Sequence, residues 1–110
     1  MYRIDTGSKT INGARVNTFI RAISSGDQLY EVEAGTTGFC GGGRQSGSRC
    51  YLRLSVLTKA DFYARVRESE TGQPIGVELC FSGDDGLAAL MKALSFASEA
   101  ISDQATEQNT

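Results

Sequence analysis

The sequence predicts an α+β fold: an antiparallel β-meander of five strands packed on one C-terminal α-helix, with Tyr2 to Asp5 as a candidate sixth strand. Three observations carry this. Residues 15–81 hold short segments in which apolar and polar residues alternate, the period that sets one strand face on a core and the other in water. The turn clusters between most of them are too short for crossover helices, so consecutive strands are antiparallel neighbours. Beyond Ser82 the period changes from two to three and four, as in an amphipathic helix.

The first strand, Arg15 to Ile23, is rich in β-branched and aromatic residues and ends at the turn cluster Ser24-Ser25-Gly26-Asp27. Leu29 to Ala34 follows, with Tyr30, Val32 and Ala34 on one face and Glu31 and Glu33 on the other. After a glycine-rich loop, Cys50, Leu52, Leu54 and Val56 alternate with Tyr51, Arg53, Ser55 and Leu57. Phe62, Ala64 and Val66 then alternate with Tyr63, Arg65 and Arg67, and Thr71-Gly72-Gln73-Pro74 turns into a last strand whose inward side is Ile75, Val77, Leu79 and Phe81. The helix starts after Ser82 or Asp84 as N-cap, with carboxylates in its first turn, and runs to about Ser102.

On that helix Leu87, Leu90, Met91, Leu94, Ala97 and Ile101 form a stripe expected to cover the sheet. A second row, Ala89, Ala93, Phe96 and Ala100, is expected to form the interface of a homo-oligomer, a dimer or higher, because a helix apolar over most of its circumference is buried on more than one side. The alternative cover is the N-terminal segment with Tyr2 and Ile4. The 110 residues, 40% of them hydrophobic, suit one domain over 1–102, and the polar residues 103–110 have no apolar anchor and are expected to fray. No charged segment with an apolar stretch after it opens the chain, and no run of apolar residues is long enough to span a bilayer. A cytoplasmic protein with reduced thiols at Cys40, Cys50 and Cys80 and no membrane contact is the expectation.

Net charge is −2 but uneven. From Cys40 to Arg67 six bases (Arg44, Arg49, Arg53, Lys59, Arg65, Arg67) face one acid (Asp61), giving +5. That stretch opens with Gly38-Phe39-Cys40-Gly41-Gly42-Gly43-Arg44-Gln45-Ser46-Gly47-Ser48-Arg49-Cys50, costly to order and therefore either functional or a slack connector. Successive amides in glycine-rich turns can converge on an anion. Here Gly41, Gly42, Gly43, Ser46 and Ser48 would take phosphate, with Arg44 and Arg49 adding charge. The loop matches neither the P-loop nor the dinucleotide fingerprint, and a strand follows it where both require a helix. Tyr51, Arg53, Tyr63, Arg65 and Arg67 are expected on the face away from the helix, where tyrosine can stack a base and arginine can hold phosphate or a protein surface. Cross-strand ion pairing with Glu31, Glu33 and Glu78 is the competing use.

The chain has no histidine, which removes the commonest general base, the commonest metal ligand and every Ser-His or Cys-His nucleophile. Asp84 and Asp85 are explained by the helix start. No enzyme, metal site or cofactor is therefore expected. The architecture resembles that of whirly-type single-strand binders, immunity proteins, and phage-encoded inhibitors or nucleotide-sequestering proteins, which implies a binding role. The first expectation is a homo-oligomer that captures a small phosphate-bearing, nucleotide-like ligand. The second is an inhibitor or immunity-type protein, such as a phage anti-defence protein, that blocks a partner protein with its Tyr/Arg face. A single-stranded nucleic-acid binder ranks third, since an acidic chain suits long nucleic acid poorly.

Overall fold

A computed structural model of the chain describes residues 4–39, 47–58 and 62–108. Six strands, β1 (Ile4–Ile11), β2 (Ala14–Ser25), β3 (Gln28–Thr36), β4 (Cys50–Val56), β5 (Phe62–Glu68) and β6 (Pro74–Phe81), precede one helix, α1 (Asp84–Gln108). The fold class is α+β, as the sequence implies. The meander is divided: β1-β2-β3-β4 form one antiparallel sheet and β5-β6 a separate hairpin. The sixth strand is real and longer than Tyr2 to Asp5. Asn12 and Gly13, both with positive φ, form the two-residue turn that joins it to β2.

Strand β2 is long because it serves two partners, β1 along Ala14–Arg21 and β3 along Thr18–Ser25. Where the two pairings overlap, the sheet rolls away from the helix. A Cβ at Gly35 would fall onto the Asn17 carbonyl oxygen and within 2.9 Å of the Thr18 Cα, so only glycine admits this approach of β3 to β2. Pairing between the strands stops at Thr18 and Gly35. The side chain of Gln104 fills the next rung: its amide donates to the Asn17 carbonyl at 2.7 Å and its carbonyl accepts from the Thr36 amide at 3.1 Å. Two backbone groups that would otherwise be orphaned are satisfied by the helix. The helix passes its expected end at about Ser102, since α1 runs to Gln108 and Gln104 is buried against the sheet.

The core lies between the helix and the convex face of the sheet. Ile23, Tyr30, Val32 and Ala34 meet Ala89, Ala93, Phe96, Ala97 and Ala100, with Phe19, Leu54, Val56, Phe81 and Ile101 at the margin. The row expected to form an oligomer interface, Ala89, Ala93, Phe96 and Ala100, is thus the row on the protein's own sheet. Alanines let the helix axis come close, and the larger Leu87, Met91 and Leu94 are left exposed. The helix N-cap is Gly83, whose carbonyl accepts the Leu87 amide at 3.0 Å.

The β5–β6 hairpin leaves this body. Its base is pinned by Phe81, which stacks on Tyr30 at 5.7 Å and meets Phe62 at 5.2 Å. Both strands are exposed from Phe62 to Cys80, so Ile75, Val77 and Leu79 do not face the core as the alternation predicts. A register shift at Arg67/Glu68 marks the distal half. The radius of gyration, 15.5 Å, exceeds the ~13 Å of a compact chain of this length.

Gly35→Ala is expected to cost ~2–3 kcal/mol in urea unfolding, while Gly76→Ala, whose Cβ would meet nothing nearer than 3.9 Å, stays within ~0.5 kcal/mol. Gln104→Ala, which strands two buried backbone groups, is expected to cost ~1–3 kcal/mol in the same assay.

Candidate functional site

The sheet face away from the helix is concave, and its wall is not solvated as a plain outer face would be. Ala14, Val16, Thr18 and Glu33 project there and are buried. The roll brings β1 over β4, although two strands separate them in the sheet order: the Lys9 ammonium sits 5.2 Å from the centre of the Tyr51 ring. A charge cluster occupies the hollow. Glu33, only 3% exposed, accepts the Thr18 hydroxyl at 2.6 Å on one oxygen and the Arg53 Nη2 at 2.9 Å and Nε at 3.3 Å on the other. Arg53 Nη1 reaches Glu31 at 3.0 Å and the Ser55 hydroxyl at 2.8 Å.

Burial alone would push the Glu33 carboxyl up, but the Thr18 and Arg53 hydrogen bonds, with the charges of Lys9 and Arg53, together outweigh it and hold the group below its ordinary value. Arg53 is raised above the usual guanidinium value, chiefly by its bond to Glu33. The pair is closed on itself, with few free donors for an incoming anion.

Arg49 is spent in the same way. It is buried, and its guanidinium donates to three carbonyls: Ile11 at 3.3 Å, Asn12 at 3.1 Å and Gly47 at 2.9 Å. It clasps the β1–β2 turn to the end of the glycine loop. The base of that loop is latched as well, since Thr37 and Arg49 exchange bonds at 3.0 Å and Thr36 Oγ1 donates to the Arg49 carbonyl at 2.9 Å. Three of the five N–H groups of Arg49, the residue expected to contact phosphate, are thus engaged by backbone oxygens. Gly41, Gly42, Gly43, Arg44 and Ser46 lie outside the described residues. Ser48 is exposed, Tyr51 lies half-buried under Lys9, and Arg53 is bound to its glutamates.

The Tyr/Arg surface read from the sequence therefore divides. Tyr51 and Arg53 line the hollow of the large sheet, while Tyr63, Arg65 and Arg67 stand on the hairpin, in register with Cys80, Glu78 and Gly76. On that ribbon Arg67 and Glu78 pair at 3.1 Å, with both side chains about half exposed. Tyr63 is exposed and Arg65 lies in the open next to the pair. The ribbon's opposite face is Phe62, Ala64, Val66, Val77, Leu79 and Phe81, apolar throughout and open to solvent except near its base. Sequence alternation identifies both faces but not that neither is covered by the chain's own helix.

Cys50 and Cys80 are free and exposed. Among the described residues no group of three or more His, Cys, Asp or Glu side chains gathers to hold a metal, and no helix is long and apolar enough to cross a membrane.

A carboxyl held low in the folded chain binds fewer protons there than when unfolded. The stability it contributes is full above about pH 4.5 and is lost as pH falls through the folded value. Urea midpoints measured from pH 7 down to pH 3 should fall less steeply for Glu33→Gln than for the natural chain. Arg49→Ala should lower stability by ~2–4 kcal/mol at neutral pH, because three carbonyls lose a charged donor. No protein family, curated protein or solved structure matches the chain, so its function is read from these residues alone.

Proposed function

We propose that the chain is a non-enzymatic binding protein that occupies the surface of a partner protein with the Tyr63, Arg65 and Arg67 face of the β5–β6 hairpin, in the blocking manner of an inhibitor or immunity-type protein. One observation carries the reading. Of the described arginines in the basic stretch, Arg49 is buried and bonded to backbone carbonyls and Arg53 is paired with two glutamates in the hollow, while Arg65 and Arg67 stand exposed on a ribbon that projects from the body. Tyrosine and arginine are the residues most often found at the energetic centre of protein interfaces, where a planar ring and a planar fork supply contact area with few rotamers to freeze. A projecting ribbon can enter a cleft that a flat sheet cannot. Two arginines against Glu78 leave this face mildly basic, which suits a partner cleft with a carboxylate to spare.

The nucleotide-like ligand reading draws less support from the same geometry, since Arg49 and Arg53, two of its charged contacts, are already hydrogen-bonded within the chain. Long nucleic acid is disfavoured by the net charge of −2.

A photo-crosslinking residue in place of Tyr63, in the chain expressed in its source cells, is expected to give one adduct with a single protein. The same residue in place of the exposed Thr10 on β1 should give none. Arg65→Ala with Arg67→Ala should abolish the adduct without changing the melting temperature. An adduct indifferent to that double change would overturn the reading. So would a rise in melting temperature with mononucleotides that the double change leaves intact, because it would return the site to the body of the protein.

A further inference from the structure

We propose that the apolar face of the β5–β6 hairpin seats on the exposed ledge of α1 and β4 of a second copy of this chain, reciprocally, so that two chains exchange hairpins about a two-fold axis. Two complementary surfaces lie uncovered on one chain. The first is the hairpin face, where Val66, Ile75, Val77 and Leu79 are between 42% and 66% exposed. The second is a ledge on the body: Leu87, Met91 and Leu94, a single helical stripe, stand 55–62% exposed, and Leu52 of β4 is 59% exposed on the sheet side that faces the helix.

The ledge lies on the β4 side of the helix. The polar flank of α1, with Lys92, Ser95 and Glu99, opens instead toward β2, and Lys92 reaches the Ser24 carbonyl at 3.4 Å. The helix covers β2 and β3 and barely reaches β4. Leu52 and the helical stripe are therefore left uncovered on the side where the helix ends and β4 continues.

Size supports a second copy. Four side chains on each surface, about half exposed, leave on the order of 100 Å² each, roughly 400 Å² on the hairpin and 400 Å² on the ledge, so a reciprocal exchange that covers both would bury roughly 800 Å² per chain, one side of a standard interface. Edges support it too. Among the described residues β4 ends its sheet with one side unpaired and β5 pairs only with β6, so a partner's β5 laid along β4 would continue the meander as its own sequence implies. Nor does the chain's own hairpin occupy that place. After β4 the backbone stays tied to the β2–β3 turn, with Leu57 donating to the Leu29 carbonyl at 2.8 Å and Thr58 accepting the Leu29 amide at 3.1 Å. The Tyr30–Phe81 stack then directs the ribbon outward. A two-stranded ribbon without cover is marginal in water, and reciprocal exchange is a low-cost way to supply the cover. The Tyr63, Arg65 and Arg67 face points away from this seat and stays open, so the inference does not depend on the function proposed above.

Light scattering at tens of micromolar should give twice the chain mass. Val77→Asp and Met91→Lys should each give the monomer mass with unchanged far-UV circular dichroism, since both side chains are exposed in the single chain. Mixing the two variants should restore the dimer, because one seat is then of natural sequence and the other sets the new aspartate against the new lysine. Arg65→Ala should leave the dimer intact while testing the other face. A monomeric natural chain would overturn the proposal and leave the ledge to a folded-back hairpin or a foreign partner. A dimer that survives both single changes would overturn it as well, as would a mixture that stays monomeric.

Discussion

The close approach of β3 to β2 at Gly35 is the constraint on which the rest of the structure depends. With no side chain at that position, the strands cross at backbone distance and the sheet rolls. The roll carries the β1–β2 turn to where Arg49 can clasp its carbonyls, and it closes the hollow in which Glu33 is buried. It also ends the β2–β3 ladder early, and the vacant rung is what gives the last turns of the helix a reason to stay folded. One missing methyl group thus connects curvature, charge burial and helix length. A side chain there would not act on a single contact, because all three features share the same crossing.

Charge is divided between two uses, and burial separates them. In the hollow, desolvation makes each ion costly unless every partner is present, and Arg53 meets that condition with two glutamates and a serine. On the ribbon, Arg67 and Glu78 meet in water, where a pair contributes little and can be exchanged for another partner at small cost. The same residue types therefore lock the body and leave the ribbon available. Neither counting arginines nor locating the +5 stretch distinguishes these fates.

Much of the fold was legible in the sequence. Alternation located five strands, the change of period located the helix, and the turn clusters made the order antiparallel. Strand β1 was largely missed, although Asn12-Gly13 between β-prone segments is the strongest short hairpin signal available. Periodicity does not tell which helical row faces the sheet, because both rows have helical spacing. Size decided between them, since alanines admit close packing and leucines do not, and periodicity carries no size. The extension of the helix was invisible because Gln104 is polar and its partners are backbone groups 68 and 87 residues away. The separation of the hairpin from the sheet was equally hidden. Alternation reports that a strand has an apolar face and says nothing about which molecule covers it.

The irregularity at Arg67/Glu68 bears on solubility. An uncovered ribbon with an apolar face is the kind of edge on which chains stack without limit. Here the distal half is broken by the register shift, and opposite it β6 begins at Pro74, which has no amide to offer a neighbour. Glu68 and Glu70 add like charge at that end. Growth by edge-to-edge addition is therefore blocked at the tip, while the regular half near the base remains able to pair. A ribbon irregular at its tip and regular near its base offers a neighbouring strand only its basal half.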